Sequence, residues 1–337
     1  MATIKDVAKK SGFSICTVSR ALSGKGYLKE ETRQKIMQAV EELNYHPNAL
    51  AANLKTGRRQ TLALILPSLT NISYTKLEKY MESYASEKGY LIYLSNSDYS
   101  LDKEKQIIDT LIGMDIAGVI IAPATNEHAH IQKLSEVNIP YVYLNRNFED
   151  DPEHSIRVDN ETAAYDAAKY IIKQGHRNIG GIFQSFEDSI HQEQYKGMMK
   201  AMEEHGIPCA PEKILFDVNP EDANASRKIL RLLQTADRPE VIFTDNDMTA
   251  FSVYRAAYIL GLRIPEQLSV FGYDDCTMAN FVTPPLSTVS VPSKKMAAAA
   301  IDFIHHFLET GEIKELPVLK AAPVIRNSVK KIHTNEK

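Results

Sequence analysis

Along residues 3–44 the apolar positions recur three and four apart. Ile4, Val7 and Ala8 form one set, Val18, Ala21 and Leu22 a second, and Ile36, Ala39, Val40 and Leu43 a third. That spacing places each set on one helical face, so three short helices are expected, the third running from about Glu30 to Leu43. The punctuation agrees. Thr3 and Asp6 stand in capping-box positions, with Asp in place of the usual Glu. Ser11-Gly12 closes the first helix, Gly12 being able to take the left-handed conformation. Ser14 caps the second, and Phe13 and Val18 are spaced as a hydrophobic staple.

From residue 61 the pattern changes. Apolar runs at 61–66, 90–95, 118–122, 141–144, 179–183, 240–244 and 268–272 read as strands. Amphipathic stretches at 74–88, 102–112, 161–174 and 248–260 read as helices between them. Alternation of this kind argues for parallel sheets, and there are too many strands for one convenient lobe. On the first of these helices Leu77, Tyr80, Met81 and Tyr84 make an apolar stripe, which reads equally well as a dimer face or as core.

Composition sets the frame. The chain has 337 residues, 44% hydrophobic and 24% charged, enough for two or three domains that each bury a core. No apolar run approaches the ~20 residues needed to cross a bilayer, so no membrane partner is expected. The first residues lack an apolar signal core. Three scattered cysteines (Cys16, Cys209 and Cys276) give neither a disulfide frame nor zinc spacing, which suits a reducing cytoplasm. No cofactor or metal is called for. Charge is uneven: residues 1–60 hold 11 Lys/Arg against 5 Asp/Glu, and the remainder 28 against 38. A head with a surplus of six positive charges on a body with a deficit of ten suits a polyanionic partner.

The second helix gives that partner a form. Val18, Ala21 and Leu22 turn inward, leaving Ile15, Cys16, Ser19 and Arg20 on other faces. A helix laid in a major groove presents its first turn to the base edges. Ile15 and Cys16 suit thymine methyls, and Arg20 can pair bidentately with guanine. Ser14, Thr17 and Ser19 suit phosphate oxygens, which set register. The segment from Thr3 to Arg58, with T-V-S-R at 17–20 and N-Y-x-P-N at 44–48, resembles the headpiece of the LacI–GalR family of bacterial regulators. The resemblance implies a homodimer on pseudo-palindromic operator DNA, with Ile15, Cys16 and Arg20 reading bases. One position departs: Lys29 stands where the third helix usually has a Ser or Thr cap. Glu30 and Glu31 partly offset that loss, typically ~1 kcal/mol, through the helix dipole.

Residues 1–46 are thus expected to form a helix-turn-helix headpiece and 47–58 a hinge. Pro47 can open a helix, and Asn48 to Leu54 is Ala-rich, with Leu50 and Leu54 one turn apart. A helix this short does not persist alone in water. The resemblance implies that two copies pair across the dimer axis and enter the minor groove through Ala51 and Leu54, Leu54 wedging between base pairs while Lys55 meets phosphate. The alternative is a flexible linker.

For the body the resemblance implies a sensor like the periplasmic sugar-binding proteins, with two parallel-sheet lobes: 59–158 plus 288–320, and 159–287 plus 321–331, followed by a tail at 332–337. The overall class is a multidomain chain, an all-α headpiece followed by an α/β periplasmic-binding-protein-like sensor. A small-molecule effector, a sugar or sugar derivative, is expected in the cleft between the lobes, at the carboxyl ends of the strands. Polar residues just past strands are the candidates, among them Ser73, Tyr74, Asn145, Arg146, Asp245, Asn246 and Asp274, and the resemblance adds Gln194 in the helix after the strand at 179–183. Arg146, Asn246 and Asp274 match positions that bind effector in many relatives. Gln194 and Asn145 depart, standing where Arg and Asp are frequent, and Gln194 cannot form a charge-assisted fork. Asp247 reads as a helix N-cap.

Enzymatic constellations are missing. There is no G-x-S-x-G, Walker loop or G-x-G-x-x-G. His128 and His130 read as surface residues, and Glu149-Asp150-Asp151 as a solvated loop. A sugar-binding protein of periplasmic type without a transcriptional role is the alternative to a regulator, and the headpiece argues against it.

Overall fold

The computed structural model describes residues 2–23, 27–45, 59–114, 116–185, 188–220 and 222–332. The chain divides into two compact units, 1–60 and 61–337.

The first unit holds α1 (Ile4–Ser11), α2 (Ile15–Ser23) and α3 (Glu30–Glu42). Each begins where side-chain chemistry allows it. The Asp6 carboxylate accepts from the Thr3 amide at 2.8 Å, and the Thr3 hydroxyl accepts from the Asp6 amide at 3.4 Å, completing a capping box. Gly12 closes α1 at φ 76°. The Ser14 hydroxyl accepts from the Thr17 amide at 3.2 Å. Lys29 gives α3 no side-chain cap, while Glu30 and Glu31 occupy its first turn. Val7, Val18, Ala21, Ile36 and Ala39 form the buried centre, with Phe13, Leu22 and Val40 packed around it. The hinge expectation, including Ala51, Leu54 and Lys55, lies outside the described residues.

The second unit contains two parallel sheets and a crossing ribbon. Sheet one has the order β11-β5-β4-β3-β1-β2: β1 (Thr61–Leu66), β2 (Leu91–Asn96), β3 (Gly118–Ile121), β4 (Tyr141–Leu144), β5 (Ser155–Val158) and β11 (Val318–Leu319). It is dressed by α4 (Ser73–Glu87), α5 (Leu101–Ile112), α6 (Ala129–Glu136) and α11 (Ser293–Thr310). Sheet two has the order β7-β6-β8-β9: β6 (Ile179–Ile182), β7 (Ile214–Leu215), β8 (Val241–Thr244) and β9 (Ser269–Phe271). Its helices are α7 (Asn160–Lys173), α8 (Ser189–Glu204), α9 (Ala223–Gln234) and α10 (Asp247–Ile259). Each sheet has an apolar cluster on either face, as parallel strands require. The antiparallel pair β10 (Thr288–Ser290) and β12 (Ala322–Val324) carries the chain between lobes, and a third connection runs from β5 into α7. The Asp159 amide donating to Leu319 and the Asp274 amide donating to Val289, at 2.9 and 2.8 Å, tie these crossings together.

All seven strands expected from the sequence form, with ends shifted by a residue at most. Four-residue β5 went unread because Arg157 interrupts its apolar pattern. The stripe Leu77, Tyr80, Met81 and Tyr84 is core: Leu77 and Met81 are buried and both tyrosines pack on the same cluster, because α11 lies along that face. Close packing elsewhere depends on Gly197, where a Cβ would stand 2.1 Å from the Glu161 carbonyl oxygen and hold α8 away from α7.

Three polar readings need correction. His130 is buried, not superficial, with its Nε2 2.8 Å from Glu104, and His128 stacks on Phe148 at 3.9 Å between ring centres. Asp151 is buried rather than solvated: the hydroxyls of Tyr141 and Tyr143 donate to it at 2.8 and 3.1 Å, and His154 bonds its other oxygen. Asp247 is the first helical residue of α10; Asn246 is the cap, its side chain accepting from the Thr249 amide at 2.8 Å.

Candidate functional site: a recognition helix and an inter-lobe chamber

In the head, α2 buries Val18 and Ala21 and turns the opposite side outward. Ser14, Ile15, Cys16 and Arg20 are exposed, and Thr17 and Ser19 are partly so. Ile15 retains 43% of its accessible surface. An aliphatic side chain in that position gains nothing from water and suits an apolar base edge.

In the body, the carboxyl ends of both sheets converge on a chamber of about 120 Å³. Every effector candidate lines it: Ser73, Tyr74, Asn145, Arg146, Gln194, Asn246 and Asp274. So does Asp245 at the end of β8, together with four residues that the strand ends do not point to: Tyr99, Gln184, Asp188 and His191. Toward solvent the walls Tyr99, Gln184, Asp188 and His191 continue into an outer recess of about 360 Å³ that includes Thr125, Asn126 and Asn219.

Local structure fixes these side chains. Asn71 accepts from the Ser73 amide at 3.0 Å, starting α4 with Ser73 and Tyr74 at the chamber wall. Asn145 and Asp274 sit at φ 50° and 102°, left-handed conformations that aim them out of their strands and that Asn and Asp tolerate better than most residues. Gly272 permits a close approach: a Cβ there would meet Asp247 Oδ1 at 2.2 Å. That carboxylate in turn accepts from the Thr288 hydroxyl at 2.6 Å and the Cys276 amide at 2.8 Å.

Electrostatics mark the chamber as acidic. Burial, with Asp245 adding and Ser73 opposing, pushes the Asp274 carboxyl up to about 6. Burial and then the neighbouring Asp274 lift Asp247 to about 7. Asp245 is also raised by burial, against the pull of His191. Asp188 differs: burial raises it, but the Arg146 guanidinium outweighs that and holds it below the usual range. The Arg146 Nη1 and Nη2 donate to the two Asp188 oxygens at 2.7 and 2.8 Å, bridging the lobes. Lys76 and Asp275 make a second bridge at 3.3 Å. Three buried polar atoms of the wall have no partner within the chain: Arg146 Nε, Gln194 Oε1 and Asp245 Oδ1. Buried polar groups are normally paired, with protein, water or a ligand.

Residues 3–48 match the description "Bacterial regulatory proteins, lacI family", and residues 168–329 match a "Periplasmic binding protein-like domain". Catabolite control protein A of Priestia megaterium is 31% identical over 307 residues, covering 91% of this chain and 92% of its own. The chain belongs to the LacI family of bacterial transcriptional regulators. As in other members of that family, a DNA-binding helix-turn-helix precedes a sensor with two parallel-sheet lobes. The solved lac repressor dimer, bound to operator and the anti-inducer ONPF, superposes with a TM-score of 0.83 at 22% identity, covering 98% of this chain and 99% of that one. The regulator CelR in complex with cellobiose gives 0.71 at 24% identity, covering 97% and 100%. At those identities the likeness speaks for the fold.

Asn96, the last residue of β2, and Asp98 just beyond it stay outside the chamber; they bond each other, and Asp98 also bonds Lys103. Asp188 could have been noticed as an N-cap ahead of α8, which it is, accepting from the Ile190 amide at 2.8 Å. Nothing in the sequence joins it to Arg146, 42 positions earlier in the chain.

Proposed function

We propose that this LacI-family regulator is a cytoplasmic, homodimeric repressor whose grip on a pseudo-palindromic operator is set by a small polar effector, a sugar or sugar derivative, held between the sensor lobes. The observation that carries the reading is the chamber, with three partnerless buried polar atoms drawn from both lobes. A guest that satisfies atoms on both sides stabilises one lobe arrangement over another, which is the differential affinity that allostery requires. The cellobiose complex of CelR, a neighbour in fold, supports a carbohydrate guest.

In this reading Ile15, Cys16 and Arg20 contact bases, and Ser14, Thr17, Ser19 and Lys55 contact phosphates. Ala51 and Leu54 of the 47–58 hinge enter the minor groove. Ser73, Tyr74, Asn145, Arg146, Gln194, Asn246 and Asp274 hold the effector. The lobes divide as 59–158 plus 288–320, and 159–287 plus 321–331. The chain has no catalytic role: the acidic chamber groups hold hydroxyls rather than activate a nucleophile. No helix among the described residues is long and apolar enough to cross a membrane.

The test selects an operator from random duplex DNA with the full-length protein. Fluorescence anisotropy then follows its affinity with and without a panel of sugars, sugar acids and sugar phosphates. A sequence preference that shifts at least tenfold with one of these supports the reading. No preference for any sequence over bulk DNA would remove it.

A further inference from the structure

Arg146 is the single guanidinium or ammonium group among the described residues lining the inner chamber, and it is already engaged. Its Nη1 and Nη2 form a fork on Asp188 at 2.7 and 2.8 Å, and Nη2 also donates to the Pro123 carbonyl at 3.1 Å. The fork geometry that would grip a phosphate or carboxylate is therefore closed by a carboxylate of the chain itself. The buried Nε remains partnerless, one donor and no fork.

We propose that Asp188 is a specificity-determining residue: by closing the Arg146 fork it restricts the effector to an uncharged, hydroxyl-rich molecule and excludes sugar phosphates and sugar acids. The proposal rests on the reading of the chamber as the effector site and narrows its ligand class. Two further observations support it. Asp245 and Asp274 stand in the same wall, so three carboxylates face one guanidinium and an entering anion meets repulsion. His191 stands in the same wall, its Nδ1 3.0 Å from the Ser185 carbonyl and its Nε2 3.4 Å from Asp245, so it is already engaged within the chain. Two of the partnerless atoms also need donors. Gln194 Oε1 and Asp245 Oδ1 accept hydrogen bonds; a polyol hydroxyl donates, whereas a carboxylate or the dianionic group of a sugar phosphate has no proton to offer.

The experiment is calorimetric titration of the full-length wild type, Asp188→Asn, Asp188→Ser and the double variant Arg146→Gln/Asp188→Asn. The probes are inorganic phosphate, D-glucuronate and D-glucose 6-phosphate. Asn and Ser both retain the cap on α8, so the helix start is preserved. With wild type the anions give no saturable heat at millimolar concentration. With either single variant at least one anion binds ten or more times tighter, and the gain disappears in the double variant. The proposal is overturned if an anion binds wild type as tightly as the single variants. It is equally overturned if both single variants, folded by circular dichroism, gain no anion binding. No DNA enters this measurement, so it succeeds or fails independently of the operator reading. A wild-type repressor answering to glucose 6-phosphate would keep the regulator and sink the role of Asp188.

Discussion

Replacing Asp274 by Asn should strengthen the fold and weaken the effector response. The carboxyl is half-buried at the end of β9 and titrates near 6 instead of 3.8, with burial the main cause. An acid whose pKa rises on folding binds more protons when native, so its ionisation opposes folding as pH rises. The penalty is absent below about pH 4, grows as pH rises through about 6, and is complete above that. Two units at about 1.4 kcal/mol each set a ceiling of about 3 kcal/mol. The chamber admits water, and screening reduces the expected gain to about 1 kcal/mol, or roughly 2 °C for a sensor of this length. Asn is neutral throughout and tolerates the φ of 102°. Relief extends to Asp247, which Asp274 helps to hold near 7. Effector binding moves the other way, losing a charge-assisted hydrogen bond worth about 1.5–3 kcal/mol, or about 10–150-fold in affinity. Urea melts at pH 4.5 and pH 8 measure the first effect, and calorimetry with the sugar found by the operator screen measures the second. A variant no more stable at pH 8 than wild type, or stabilised equally at both pH values, refutes the electrostatic account. Unchanged effector affinity removes Asp274 from the site.

Further substitutions probe other parts of the argument. Arg20→Ala should cost about 1–3 kcal/mol on the selected operator and relax preference at one base pair, read by anisotropy against single-substitution operators; equal loss on random DNA contradicts base reading. Leu54→Ala should reduce DNA bending in a circular-permutation gel shift while circular dichroism stays native, and unchanged bending discards the wedge. Gly197→Ala places a methyl 2.1 Å from the Glu161 carbonyl oxygen, backbone that has no room to yield, so α7 and α8 must separate. A loss of about 1–3 kcal/mol in urea unfolding is expected, and a neutral result would mean that the two helices are held less closely.

Local features were legible because their causes are local. The Thr3–Asp6 box, the Gly12 stop and the apolar runs that became β1, β4 and β8 depend on residues within a few positions of one another. The chamber was half legible for a related reason: parallel strands deliver their following residues to one edge, so Arg146, Asn246 and Asp274 could be placed by position alone. What escaped depends on distant pairings. Met81 turns inward because of α11, which begins more than 200 residues later. His130 is buried because Glu104 on α5 meets it. Asp188 belongs to the opposite lobe from the group that defines it. A carboxylate's neighbourhood, unlike a strand's periodicity, leaves no trace in the spacing of nearby residues.

That Arg146–Asp188 contact also bears on how a small guest can govern a large complex. The lobes are joined by three chain crossings and, among the described residues, by the ion pairs of Arg146 with Asp188 in the chamber wall and of Lys76 with Asp275. Both pairs depend on how far the lobes are closed, so any guest that changes closure also changes their geometry. A tenfold shift in operator affinity needs ~1.4 kcal/mol of coupling. One hydrogen bond to a charged group, made in one arrangement and lost in the other, contributes about 1.5–3 kcal/mol. The sensor therefore needs no large rearrangement energy. On the proposed reading, a guest whose hydroxyls reach Gln194 and Asp245 from one lobe while an acceptor of the guest meets Arg146 Nε from the other, in only one arrangement, supplies that difference.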